Sequence, residues 1–185
     1  MCYNIQTIDA LCASGKEWNT MKRLFALMLA LCLMLCACGS KPAETTAPAA
    51  AAAPEGTCQE LMDKLYENVT VELPLMTETT ETSLSDAEMF AYVTGLENNE
   101  GVADVAVSLP MMGAQAYHVV MVRGESAEKA TELAQYLFDN ADMARWVCVQ
   151  ATEKQAVVCG DLALFVMLDP QYGVTSDQIV EGFTT

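Results

Sequence analysis

From Thr57 onward the apolar positions switch between helical spacing and strict alternation, which divides the chain into helices and strands. Thr57-x-x-Glu60 is a capping box, and Cys58, Leu61, Met62 and Leu65 then share one helical face, so a first helix is expected to end near Asn68. Val69, Val71 and Leu73 alternate with polar residues and predict a short strand stopped by Pro74. Thr77 to Ser83 is rich in Thr and Glu and reads as a loop or an edge segment. Ser85-x-x-Glu88 is a second capping box, Met89, Phe90 and Val93 would pack inward, and Gly95 would end that helix. Val105, Val107 and Leu109 alternate up to Pro110, whereas Tyr117 to Val122 is almost wholly apolar, as in a central strand covered on both faces. Ser126 caps a helix with a stripe of Ala130, Leu133, Ala134 and Leu137. Trp146 to Ala151, Gln155 to Cys159 and Leu162 to Leu168 read as strands, and Thr175-x-x-Gln178 opens a last helix with Ile179, Val180 and Phe183 inside. The expected order, α-β-α-β-β-α-β-β-β-α, argues an α+β domain over residues 57–185, with a mainly antiparallel sheet and packed helices.

A different pattern precedes this domain. Lys22 and Arg23 lead into an uncharged run from Leu24 to Leu35, about twelve residues long, whereas a helix that crosses a bilayer needs roughly twenty. A basic start followed by a short apolar run is the form of a secretory leader. Leu35-Cys36-Ala37-Cys38, followed by Gly39-Ser40, resembles the lipobox of bacterial lipoproteins. That resemblance implies a lipid thioether on Cys38 and cleavage between Ala37 and Cys38, leaving residues 21–37 as the signal peptide. An ordinary signal peptide or an uncleaved anchor is the alternative. Residues 1–20 hold Asp9, Glu17 and Asn19 without periodicity and read as a start-site extension ahead of Met21, a cytoplasmic extension being the alternative.

Residues 38–56 join the two parts. After Cys38 the chain reads GSKPAETTAPAAAAAPEG, a composition that cannot bury enough surface to fold and is expected to be a disordered Ala/Pro linker. Fully extended it would span up to roughly 50 Å.

Charge narrows the partners. The formal net charge is −16, and removing everything before Cys38 makes it slightly more negative, at about −17. No basic patch exists to meet phosphate backbones, so no nucleic-acid partner is expected, and direct docking on anionic lipid heads is disfavoured.

The lipobox, the linker, Glu72 to Met76, the Tyr117 to Arg123 strand, Arg145-Trp146-Val147-Cys148-Val149 and the Gly160-Asp161 turn together resemble small lipoproteins of Gram-positive anaerobes in the domain-of-unknown-function family 4358. The resemblance spans most of Thr57 to Phe183 and implies class and location, with no activity and no functional residues.

Chemistry-bearing constellations are sparse. GxSxG, HExxH, P-loop, GxGxxG and EF-hand patterns are all missing, and the domain has no CxxC or HxxxH pair, so no catalytic residue, metal or cofactor is predicted. His118, the chain's single His, alternates with Val120 and Val122 and reads as a satisfied buried residue. Tyr117 and Trp146 are candidates for a binding groove, with core or half-exposed sheet positions as the alternative. If Glu153-Lys154 is a two-residue turn, Cys148 faces Cys159 across two strands and a disulfide is open to them, free buried thiols being the alternative. The expected function is a binding or interaction module held at the extracytoplasmic face of the cell membrane through its lipid anchor. An accessory subunit of an envelope complex, or an envelope-acting hydrolase using paired carboxylates, are the alternatives.

Overall fold

The computed structural model describes residues 2–6, 53–79 and 85–184. The chain divides into two units, Met1–Gln6 with Ala50–Thr185, and Thr7–Ala49, and the described residues all belong to the first. The expectations for Ala37, Cys38 and the linker as far as residue 52 lie outside the described residues.

In chain order the elements are β1 (Tyr3–Asn4), α1 (Cys58–Asn68), β2 (Leu75–Thr79), α2 (Ala87–Thr94), β3 (Val102–Pro110), β4 (Tyr117–Gly124), α3 (Ala127–Asp139), β5 (Glu153–Cys159), β6 (Leu162–Leu168), a 3-10 turn (Pro170–Tyr172) and α4 (Ser176–Thr184). The strands form a 6-stranded sheet in the order β1-β5-β6-β4-β3-β2, and every neighbouring pair is antiparallel. The domain is therefore α+β. Helices cover both faces. Val120 and Val122 of β4 pack with Phe90 and Val93 of α2 and Leu133 and Leu137 of α3. Val119 and Met121, pointing the other way, pack with Leu61, Met62 and Leu65 of α1 and Ile179 of α4. A strand with no face left to water is apolar throughout, which explains the unbroken run in β4.

Local chemistry fixes the helix ends. The Thr57 side chain accepts from the Glu60 backbone N–H while Glu60 accepts from the Thr57 backbone N–H, closing the expected capping box. Asp104 of β3 adds a carboxylate acceptor, 2.6 Å from the Cys58 backbone nitrogen, and so satisfies a further orphan donor at the start of α1. Gly95 ends α2 in the left-handed region at φ 82°, and Ser126 caps α3. Gly124 lets the first turn of α3 lie against the end of β4, since a Cβ there would sit 2.5 Å from the Ala130 nitrogen. Arg123 holds the point where the chain enters the fold. Its guanidinium pairs with Asp161 at 2.7 Å and donates to the carbonyls of Pro54 and Gly56 at 2.9 and 3.0 Å.

Several expectations are corrected. The strand expected over Val69 to Leu73 is a connector, with Val69 as the cap of α1 and the Glu72 N–H bonded to the Tyr172 carbonyl. The strand forms instead after Pro74, where Leu75 to Thr79 pair with Pro110 to Ala106 at the edge of the sheet. An edge strand needs no continuous buried face, so periodicity alone leaves its Thr- and Glu-rich part open between loop and edge segment, and the structure makes Thr77 to Thr79 the edge. Asp86, not Ser85, caps α2, accepting from the Met89 N–H.

The strand expected over Trp146 to Ala151 is likewise irregular, and its apolar residues pack as a loop. Trp146 and Val149 lean on the core while Val147 is 70 % exposed. Glu153 and Lys154 begin β5 rather than forming a turn, and the β5–β6 hairpin turns at Gly160-Asp161. The cross-strand pairing that would bring Cys148 to Cys159 therefore does not exist. Cys148 is exposed and free, and Cys159 is bonded to Cys2. Residues 2–6, which the sequence pattern leaves unstructured, add β1 to the edge of β5 and bury Ile5 completely in the core.

Candidate functional site

At the end of α2, where the connector between α3 and β5 folds back over the sheet, lies a cavity of about 320 Å³. Its apolar wall is built by Leu137 of α3 and by Phe165 and Met167 of β6. Its polar wall is built by Tyr92, His118, Asp142 and Arg145.

Each polar group reaches the cavity for a structural reason. His118 shares a face of β4 with Val120, opposite Met167 of β6, and its ring lies edge-on to Phe165 with centroids 6.3 Å apart. Only 1 % of its surface is exposed. Its Nε2 is 2.8 Å from the Val93 carbonyl, an acceptor, so Nε2 carries the proton and donates. That leaves Nδ1 as an acceptor, and the Arg145 Nη1 donates to it at 3.4 Å. Burial, with the Arg145 charge second, lowers the imidazole pKa to about 3, against a counteracting pull from the Val93 carbonyl. The ring is thus neutral and acts as a bracket between α2 and Arg145.

Arg145 is the more telling group. Its Nη2 donates to the Tyr92 carbonyl, and its guanidinium carbon lies 5.4 Å from the centre of the Tyr92 ring, a cation–π distance. Among the described residues no carboxylate forms an ion pair with it. Burial disfavours its charged form, and the Tyr92 hydroxyl and Asp142 oppose that effect. Asp142 at the mouth is already engaged, its carboxylate accepting from the Ala144 N–H at 3.0 Å.

The residues singled out by sequence fall elsewhere or in other roles. His118 is buried and satisfied as expected, yet it forms part of the cavity wall. Tyr117 points to the opposite face of the sheet, fully buried, with its hydroxyl 2.9 Å from that of Tyr66. Burial pushes the Tyr66 hydroxyl up to about 12 and the Tyr117 hydroxyl well above its ordinary value. Trp146, within the connector between α3 and β5, packs on the core and does not line the cavity. Sequence reasoning did not single out Arg145 as a candidate site residue. Its signal was scarcity, since Arg23, Arg123 and Arg145 are the only arginines in a chain of net charge −16. Among the described residues no group of three or more His, Cys, Asp or Glu could hold a metal ion.

Comparison of the chain with protein-family models, with curated proteins and with solved structures finds no match.

Proposed function

We propose that the chain is a lipid-anchored extracytoplasmic binding module, of the kind to which the family-4358 resemblance points. In this reading the leader is removed after Ala37, Cys38 carries the lipid, and residues 39–56 space the folded domain from the membrane. The observation that carries it is the succession of Lys22-Arg23, a short apolar run and Leu35-Cys36-Ala37-Cys38. One structural fact supports it: the fold takes hold of the chain at Pro54 and Gly56, where the Ala/Pro-rich stretch ends. The binding role is supported by the cavity beside Arg145.

Cleavage before Cys38 would sever β1 from the domain, and the Cys2–Cys159 bond would then be a remaining covalent link to the leader. A second reading is favoured by that bond and by the burial of Ile5: an unprocessed chain whose first residues stay docked on β5. Growth with labelled palmitate followed by intact-mass and peptide analysis separates the two. The lipoprotein reading expects label on an N-terminal Cys38. Unlabelled protein that retains the Cys2 peptide would overturn it.

A further inference from the structure

A guanidinium has five N–H donors in a planar fork, and the described bonds of Arg145 use one toward His118 and one toward the Tyr92 carbonyl. Both are neutral acceptors, so the positive charge is fixed in direction and, although the Asp142 charge favours it, no described carboxylate lies within ion-pair distance. Such a group, half withdrawn from water, is a costly arrangement unless an anion completes it. In this chain the cost is notable, because acidic residues outnumber basic ones by 25 to 9 and yet none pairs with Arg145.

The surroundings narrow the anion. One guanidinium neutralises one charge, and Asp142 stands at the same mouth, so a doubly charged phosphate would meet stronger repulsion than a single carboxylate does. Behind the guanidinium the wall is apolar, formed by Leu137, Phe165 and Met167, and about 320 Å³ leaves room for a compact branched or aromatic tail. The exposed Tyr92 ring, 73 % accessible, can close over such a tail from the solvent side. We infer that the cavity binds a small monocarboxylate with an apolar tail, its carboxylate paired with Arg145 and its tail against Leu137, Phe165 and Met167. Asp142 lines the cavity and, with one oxygen bonded to the Ala144 N–H, keeps a second oxygen that an ammonium group could meet, so an apolar amino acid and a simple organic acid share this chemistry. The inference rests on reading the domain as a binding module, but it does not depend on the anchor.

The test uses the purified full chain and calorimetric titration with phenylacetate, L-phenylalanine, phenylacetamide and inorganic phosphate. Saturable binding of phenylacetate or L-phenylalanine is expected, at least tenfold tighter than that of the uncharged phenylacetamide. The tighter of the first two identifies the source, an amino acid if Asp142 contributes and an organic acid if it does not. Arg145→Met is expected to weaken binding at least tenfold, and Arg145→Lys less. Should Arg145→Met fail to fold, the comparison of acid with amide in the unaltered protein still decides. Equal affinity for acid and amide, tighter binding of phosphate, or no saturable binding by either carboxylate would overturn the assignment. None of these outcomes bears on whether Cys38 is acylated, which the palmitate experiment reads separately.

Discussion

His118 links the stability of the domain to pH in a way that can be worked out from its surroundings. In the folded chain the ring is buried and neutral, with a pKa of about 3, whereas an unfolded His titrates near 6.5. The unfolded state therefore takes up the proton first as pH falls. The stability that His118 supports is complete above about pH 6.5 and is lost progressively down to about pH 3. Each pH unit inside that window costs about 1.4 kcal/mol, so the loss between pH 7 and pH 5 is about 2 kcal/mol. For a small domain with a stability of roughly 5–15 kcal/mol that is a measurable fraction. His118→Gln keeps a donor for the Val93 carbonyl and an acceptor for Arg145 but does not titrate. Urea unfolding of both proteins at pH 7 and pH 5 isolates the effect, because the carboxylates titrate in both. The unaltered protein is expected to lose about 2 kcal/mol more than the variant over this interval. Equal losses would refute the picture of a neutral, walled-in imidazole bracing Arg145.

Two further outcomes follow from packing and access. Gly124→Ala places a Cβ 2.5 Å from the Ala130 nitrogen and 3.0 Å from the Ser126 carbonyl, both backbone atoms. It is expected to lower stability by about 1–3 kcal/mol in denaturant titration, and an unchanged midpoint would contradict the close approach of α3 to β4. Cys148 is exposed, while Cys58 is buried and its thiol is pushed up chiefly by that burial, with the nearby Asp104 charge adding to it. Alkylation of the native protein should therefore modify Cys148 quickly and Cys58 only on unfolding, as peptide mapping of timed samples will show.

Much of the domain is legible because most elements announce themselves by local rules. The boxes Thr57-Glu60 and Thr175-Gln178 form as read, Ser126 caps α3, and Gly95 stops α2. The unbroken apolar run in β4 correctly reports a strand enclosed on both sides. The failures occur where tertiary contacts overrule periodicity. Val69 to Leu73 and Trp146 to Ala151 carry apolar residues that connecting segments use to seal the core, and alternation cannot separate that use from a strand. β2 is half legible: polar and at an edge, its Thr77 to Thr79 part fits the loop-or-edge reading, and only its start at Leu75 is missed. The cavity is illegible in one dimension. Tyr92, His118, Arg145 and Phe165 come from separate parts of the chain, and Arg145 sits in the connector just before the segment mistaken for a strand. Nothing in the spacing of Cys2 and Cys159, 157 positions apart, announces their bond.

The two margins of the sheet are guarded unequally. The β2 margin follows Pro74 and carries Glu78, features that deter a stranger from hydrogen-bonding alongside. On the β5 margin, Glu153 and Lys154 protect only one end. Next to Val157 and Val158, deterrence is supplied by the docked Tyr3 and Asn4 themselves. In a chain cut before Cys38 with the Cys2–Cys159 bond opened, Ala156 to Cys159 would be a bare, sticky ribbon beside the hollow that Ile5 filled. Soluble protein prepared from residue 38 onward is then prone to stack through this ribbon, and a polar replacement for Ile5 in the full-length chain would loosen the same seam without any cleavage.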